Sequence, residues 1–279
     1  MNGITLPRIP ELTQSMSYPA ESYESFMVPG LFAPWASHLI QYANPQHAER
    51  ILDVACGTGI VARQIAQRVG SRGTVIGLDL DPYKITVARA ASEREGLAIE
   101  WHTSAAERLP FSDSTFDLIL CQFGLMFFTD RHAALREMRR VLKSDGRLVL
   151  SVWQGLDRHP FYQTLHEVSS RRLGESSVGA VFSLGDSDKL RTLLTDAGFR
   201  DIELEPMSIT ARYPNAQEFL AWESDVDPAR TPALQNLDAE EQQVILAALH
   251  QEMQTPLHEV MQGDEVVMPS HAHFALAKR

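Results

Sequence analysis

Arg50-Ile51-Leu52-Asp53-Val54-Ala55-Cys56-Gly57-Thr58-Gly59 is the stretch whose reading decides the fold. Residues 50–55 read as a buried strand, and Gly57-Thr58-Gly59 as the turn that ends it. Past the turn, Ile60, Val61, Ile65, Ala66 and Val69 recur at helical spacing, and Gly70 stands where a C-cap belongs. Working outward, residues 74–79 repeat the strand pattern. Asp81-Pro82 then places a capping side chain before a first-turn proline, which starts a helix that runs to about Glu95 and ends at Gly96. Further strands are expected over 98–101, 116–121 and 146–153, with an amphipathic helix over 131–142. This alternation means βαβ units and a parallel sheet covered by helices on both faces, with ligands at the carboxyl ends of the strands.

The flanks are less regular. Residues 10–45 have helical apolar spacing broken by Pro29 and Pro34, and carry Tyr18, Tyr23, Phe26, Phe32, Trp35 and Tyr42. Helices are expected near 161–172, 186–197 and 239–254, a strand from Ile202 towards Ala211, and a closing strand over 271–277. One domain over 1–279 is expected: a helical cap at 1–47, a ligand-binding core at 48–153, and acceptor-side helices and closing strands at 154–279.

Composition excludes several classes. The 279 residues are 44% hydrophobic and 22% charged, enough for a full core without disulfides or disorder. The formal net charge of −11 repels a phosphate backbone, so nucleic acid is not expected as a partner. Arg139, Arg140 and Lys143 read as the dipole complement of a helix end. No apolar run reaches the ~20 residues of a membrane helix, and Met1–Arg8 lacks the form of a secretory signal. With only Cys56 and Cys121, the expectation is a soluble chain in the reducing cytoplasm, and its partners are expected to include a second copy of itself as a homodimer.

The glycine turn alone leaves two ligands open. Gly57 to Ala62 fits the loose dinucleotide pattern G-x-G-x-x-A, and Asp79 lies 20 residues after Gly59, as a ribose-binding acid should. Asp53 separates them, because a carboxylate near the end of an apolar strand suits a cationic ligand group and not a pyrophosphate. A carboxylate at Asp79 can accept both ribose hydroxyls, and Leu80 can pack on an adenine face. Asp81 is the cap of the next helix.

Four stretches in this order, Asp53 to Gly59, Asp79, Ala106 to Asp117, and Arg136 to Leu148, resemble the successive signatures of class I S-adenosylmethionine-dependent methyltransferases. The nearest group is the ubiquinone/menaquinone-biosynthesis type (methyltransferase type 11). The resemblance implies a three-layer αβα sandwich, Rossmann-like, with a seven-stranded mostly parallel sheet whose last strand is antiparallel, an N-terminal helical lid and a C-terminal helical insertion. It implies S-adenosyl-L-methionine as cofactor, with Asp53, Ala55, Cys56, Gly57 and Gly59 at its methionine end. Asp79 would take the ribose hydroxyls, Leu80 and Ala106 the adenine, and Cys121 with Gln122 the sulfonium side. Ala105 stands where many relatives carry an aspartate for the adenine amino group, which passes that contact to Glu107 or to backbone.

The acceptor is expected to be a small apolar or aromatic molecule methylated on O, N or C by direct displacement. The apolar segment after Cys121 lacks the Asn/Asp-Pro-Pro-aromatic stretch of enzymes that methylate exocyclic amines. Tyr23 and Phe26 are expected in the lid, and Trp35, Phe123, Met126, Trp153 and Trp222 as pocket walls. No metal-ligand spacing occurs among the ten histidines; His159 and His166 are the candidates for a general base, and His271 with His273 read as surface pairing on the last strand. Two other functions compete: a non-methylating S-adenosylmethionine-binding protein or partner subunit, and an NAD(P)-dependent oxidoreductase, against which Asp53 argues.

Overall fold

The structure is a computed structural model that describes residues 20–70, 72–174, 178–224 and 237–279. Tyr18 and the leader reading of Met1–Arg8 lie outside the described residues. Strands β1 (Arg50–Val54), β2 (Thr74–Asp79), β3 (Glu100–Thr103), β4 (Phe116–Gln122) and β5 (Leu142–Trp153) pair in parallel in the order β3-β2-β1-β4-β5. β1 has β2 on one side and β4 on the other, with Ile51 opposite both Val75 and Leu118. The chain therefore reverses direction across the sheet at β1, and a crevice opens at its carboxyl end.

β6 (Arg200–Tyr213) forms the far edge, and β8 (Glu265–Lys278) lies between β5 and β6, antiparallel to both. The last strand is thus longer than 271–277 and interior. A two-residue β7 (Met261–Gln262) folds back on β8, an eighth strand beyond the expected seven. Because β8 is interior, His271 and His273 do not pair on a surface: His273 Nε2 lies 3.0 Å from the Gly185 carbonyl, and the His271 N–H donates to His159.

Helices flank the sheet. Ala20–Ala43 runs as α1 (Ala20–Ser22), a π-helical stretch (Tyr23–Phe32) and α2 (Ala33–Ala43). The wide turn coincides with Pro29, which has no N–H to give to an ordinary α-helical ladder. α3 (Ile60–Val69) follows β1 and α4 (Pro82–Arg94) follows β2, the latter capped by the Asp81 carboxylate, which accepts from the Tyr83 and Lys84 N–H groups. α5 (Arg131–Val141) joins β4 to β5, and α6 (Pro160–Leu173), α7 (Val178–Val181) and α8 (Ser187–Asp196) lead to β6. α9 (Ala216–Ser224), α10 (Ala239–Glu252) and α11 (Gln254–Glu259) complete the C-terminal insertion.

Two packing devices fix the crevice. The Trp101 indole fills the space under the glycine turn: a Cβ at Gly77 would lie 2.2 Å from its ring, and one at Gly59 2.3 Å. Its Nε1–H donates to Ser92 Oγ on α4 at 3.1 Å. The second device is Arg140, whose guanidinium pairs with Glu137 and Asp113 and donates to the Leu109 and Phe111 carbonyls. Glu137 in turn accepts from the Leu109 N–H at 2.9 Å, and its carboxyl titrates below the usual range because Arg140 bonds it. Of the basic cluster expected to complement a helix dipole, Arg140 is therefore a clamp on the loop after β3, which runs on to Phe116, while Arg139 donates to the Gly198 carbonyl and Lys143 pairs with Asp117 on β4.

Candidate active site

The chain turns out of β1 through three left-handed residues, Ala55 (φ 57°), Gly57 (φ 57°) and Gly59 (φ 85°). The Cys56 N–H donates to the Leu78 carbonyl at 3.0 Å and so keeps the turn against β2. The glycines divide their work. Gly59 is required by Trp101, whereas Gly57 faces the crevice, where the nearest side chain is that of Tyr23 at 3.9 Å.

Asp53 is 1% exposed. Its Oδ2 accepts from the Ala62 N–H at 3.0 Å, while Oδ1 is buried with no partner. Burial pushes its carboxyl up to about 8, because the one Ala62 N–H bond offsets only part of the lost hydration of the charged form and the nearby Asp79 carboxylate adds to the rise. Gln122, at the end of β4, donates through Nε2 to the Phe32 carbonyl and leaves Oε1 buried without a partner. Asp53 and Gln122 both line one small cavity of about 30 Å³, together with Ala55, Gly57, Thr58 and Tyr23. Asp79 closes the β2 side, its Oδ2 accepting from the Gly57 N–H at 2.7 Å and its Oδ1 from the Asp81 N–H at 3.0 Å. Leu80 beside it is 69% exposed.

S-adenosylmethionine fits this donor and acceptor set. Its methionine end brings an ammonium group, and two buried oxygens are unmet, one an amide oxygen and the other on a carboxyl that becomes a pure acceptor once a cation draws off its proton. A nucleotide pyrophosphate would bring only acceptors against Asp53 Oδ1.

The N-terminal helix, expected as a lid, is held by charge. Glu24, next to Tyr23, pairs with Arg63 on α3 at 2.5 Å, and Arg63 also pairs with Glu95 at 2.5 Å. The Lys84 ammonium lies 5.1 Å from the centre of the Tyr23 ring. Arg63 and Glu24 were not expected as site residues. One signal was available: a cation in the first turns of a helix opposes the helix dipole and calls for another partner.

A circuit of rings surrounds the ends of β4 and β5. Tyr23 packs on Phe32 (5.2 Å between centroids), and Phe32 on Phe123 (6.3 Å). Phe123, in the left-handed region at φ 51°, stacks face to face on Trp153. His159 meets the edge of Trp153, and Tyr162 lies next to His159. The Tyr162 hydroxyl donates to Glu223 on α9 at 2.8 Å, and Trp222, one residue earlier, returns to Tyr23 at 6.3 Å. Phe26 backs the lid, stacked on both Tyr213 and Trp222.

Several expected site residues have visible duties in the packing. Trp35 is fully buried between Phe123, Trp153 and Phe274 and donates to Ser270 Oγ, so it supports the wall and does not line it. The carboxylate of Glu107 accepts from the Thr129 and Asp130 N–H groups, which ties the loop to the start of α5 and commits Oε1 away from an adenine edge. Ala106 is buried in the core and Ala105 is half-buried, while Met126 is buried on the short turn Leu125–Phe127. His159 has both ring nitrogens engaged: Nε2 accepts from the His271 N–H at 3.1 Å and Nδ1 lies 3.1 Å from the Gly155 carbonyl. That fixes a neutral ring with the proton on Nδ1, and burial lowers its pKa, so neither nitrogen is free to act as a base. His166 packs on Gly179 of α7, outside the ring circuit. Cys56 and Cys121 are both buried free thiols, and burial pushes Cys121 up to about 12.

Strand order, glycine turn, strand-end acids and lid define a class I S-adenosylmethionine-dependent methyltransferase. Comparison with known proteins narrows this, because the ubiE/COQ5 methyltransferase family matches residues 8–165, and the chain belongs to that family. It is 30% identical over 213 residues to the ubiquinone/menaquinone biosynthesis C-methyltransferase UbiE of Neisseria meningitidis serogroup B, covering 72% of this chain and 87% of the relative. Among solved structures, a Bacillus halodurans protein assigned as a methyltransferase superposes with a TM-score of 0.59 at 24% identity, covering 87% of this chain and 97% of that one. Haemonchus contortus phosphoethanolamine N-methyltransferase 2, in complex with S-adenosyl-L-methionine, gives 0.56 at 19% identity over 96% of this chain and 58% of that one. The protein is an S-adenosylmethionine-dependent methyltransferase of a small molecule. Among the described residues no helix is long and apolar enough to cross a membrane.

Proposed function

We propose that the chain transfers the methyl group to a carbon of a small aromatic, hydroxyl-bearing metabolite. The observation that carries this reading is the circuit of aromatic rings around the ends of β4 and β5, beside the crevice that holds Asp53 and Asp79. The printed activity of the UbiE relative, a C-methyltransferase, supports the choice of carbon.

S-adenosylmethionine supplies an electrophilic methyl group on a sulfonium. In our reading Asp53 Oδ1 and Gln122 Oε1 hold its ammonium, the 55–59 turn with Cys56 lies along its methionine chain, Asp79 accepts from its ribose hydroxyls, and Leu80, Ala105 and Ala106 border its adenine. Cys121 is a small neighbour beneath the sulfonium. Direct displacement asks the protein chiefly for alignment and exclusion of water. Phe123, Trp153 and Trp222 would set the plane of the acceptor ring, with Met126 beneath, and Tyr23 with Phe26 would close over both partners. We read the cap (1–47), core (48–153) and acceptor-side segment (154–279) as these three tasks within one domain. A cytoplasmic enzyme without a nucleic-acid partner is part of this proposal, on the net charge of −11. A homodimer is tested by light scattering.

The experiment supplies S-adenosylmethionine labelled in the methyl group together with 1-naphthol, a hydroxyl-bearing aromatic probe, and locates the label by NMR. A methyl on a ring carbon is expected. 1-Methoxynaphthalene as sole product would overturn the carbon assignment, and no transfer to any hydroxyaromatic would overturn the acceptor class.

A further inference from the structure

One ionisable group interrupts the aromatic circuit. Glu223 sits between Trp222, which packs on the lid residues Tyr23 and Phe26, and Tyr162, which donates to Glu223 Oε1 at 2.8 Å. The proposed methyl transfer makes no use of it. A neutral aromatic carbon is a weak nucleophile; loss of the hydroxyl proton pushes the electron pair into the ring and raises the reactivity of the ring carbons beside and opposite the oxygen. A base is therefore wanted on the acceptor side, away from the cofactor crevice. His159, also in the circuit, has both nitrogens committed to backbone, and the phenols of Tyr23 and Tyr162 stay protonated because burial raises them.

Resting on the aromatic-acceptor reading above, we propose that Glu223 is the general base that takes the acceptor's hydroxyl proton, with Tyr162 as its positioning residue. The proton passes from the acceptor oxygen to the Glu223 carboxylate, which becomes a carboxylic acid. The activated carbon then bonds to the methyl group as the sulfur–methyl bond breaks and its electron pair stays on sulfur. The proton on that same ring carbon leaves to water, the ring regains aromaticity, and Glu223 returns its proton to the oxygen. One proton is released overall, and the charge of the sulfonium is discharged.

The surroundings suit the task. Burial raises the Glu223 carboxyl to about 7 and the Tyr162 hydroxyl offsets part of that rise, so the group gains and loses a proton near neutrality. The titratable groups facing it are Tyr162 from α6 and Tyr213 from the end of β6, both phenols held far above their ordinary range by burial and neutral at physiological pH. α10 and β8, which also pack on α9, contribute no described group that shifts it.

The test measures kcat and KM for 1-naphthol against pH in the wild type, Glu223→Gln, Glu223→Asp and Tyr162→Phe, with calorimetric binding of S-adenosylhomocysteine to each. Glu223→Gln is expected to lower kcat by about 100-fold or more, to abolish the acidic limb of the profile, and to leave S-adenosylhomocysteine affinity unchanged. Glu223→Asp recovers part of the rate. Tyr162→Phe removes a donor to the carboxylate and moves the limb to higher pH, which keeps the proposal testable if Glu223→Gln fails to fold. A Glu223→Gln enzyme with kcat within about threefold of wild type and the same limb overturns the role of Glu223 alone. So does a Tyr162→Phe limb that stays in place. A wild type that methylates no hydroxyaromatic overturns this inference together with the acceptor reading.

Discussion

Asp53→Asn is expected to strengthen the fold and abolish cofactor binding, two effects of one buried carboxyl. Folded Asp53 titrates at about 8 against an ordinary 3.8, driven by burial. Between those two values the folded chain keeps a proton that the unfolded chain has lost, so stability falls as pH rises from about 4 to about 8 and is flat beyond. A rise of about 4 pKa units corresponds to a loss of about 6 kcal/mol across that window. Asn keeps an oxygen that can accept from the Ala62 N–H and carries no charge, so the variant lacks this loss. Urea unfolding of both proteins without ligand, at pH 5 and pH 8, gives a double difference that isolates Asp53. Several kcal/mol in favour of Asp53→Asn at pH 8 is expected, and less than about 1 kcal/mol would refute the reasoning. In the proposed complex the same site binds an ammonium through the ionised form. At pH 7, where Asp53 is about nine-tenths protonated, S-adenosylhomocysteine binding should release close to one proton. Calorimetry in buffers of different ionisation heat reads that number, and zero release would break the link between Asp53 and the ammonium.

Further outcomes follow from the packing. Gly77→Ala places a methyl 2.2 Å from the Trp101 ring, and should cost about 3 kcal/mol or prevent folding, read by thermal unfolding. Glu24→Gln leaves Arg63 with Glu95 alone and loosens the lid; KM for cofactor or acceptor should rise more than a fewfold, as for Tyr23→Ala with Phe26→Ala, and unchanged kinetics would remove the lid. His159→Gln should lower stability by about 1–3 kcal/mol through lost backbone bonds while the acidic limb of kcat persists; loss of that limb would return His159 to the chemistry. Cys56 and Cys121, buried and held protonated, should react slowly with thiol reagents, and more slowly still with S-adenosylhomocysteine bound; equal rates with and without ligand would displace them from the site.

The core was legible because its signals are local. A continuous apolar strand, a glycine turn and a helical repeat each lie within a dozen residues, and their alternation admits few topologies. Asp53 and Asp79 stood out for the same reason, as carboxylates at the ends of apolar runs. What tertiary structure alone decided depends on partners far apart in the chain. The position of β8 between β5 and β6 is set by pairings far apart in the chain, such as Arg147 with Lys278 and Arg200 with Lys278, and with it His271 became a backbone donor to His159. Trp35 and Glu107 carry no local mark of their duties, one supporting the aromatic wall and the other tying a loop. Arg63, Glu24 and Glu223 gain their meaning from neighbours brought by separate helices. Sequence by itself determined the strand-and-helix order and the two acids of the crevice, since hydrophobic periodicity and strand-end carboxylates are properties of short segments. Only the folded chain decided which charges hold the lid and which carboxyl enters the aromatic circuit, because a buried ion pair or hydrogen bond exists only where packing excludes water around both partners.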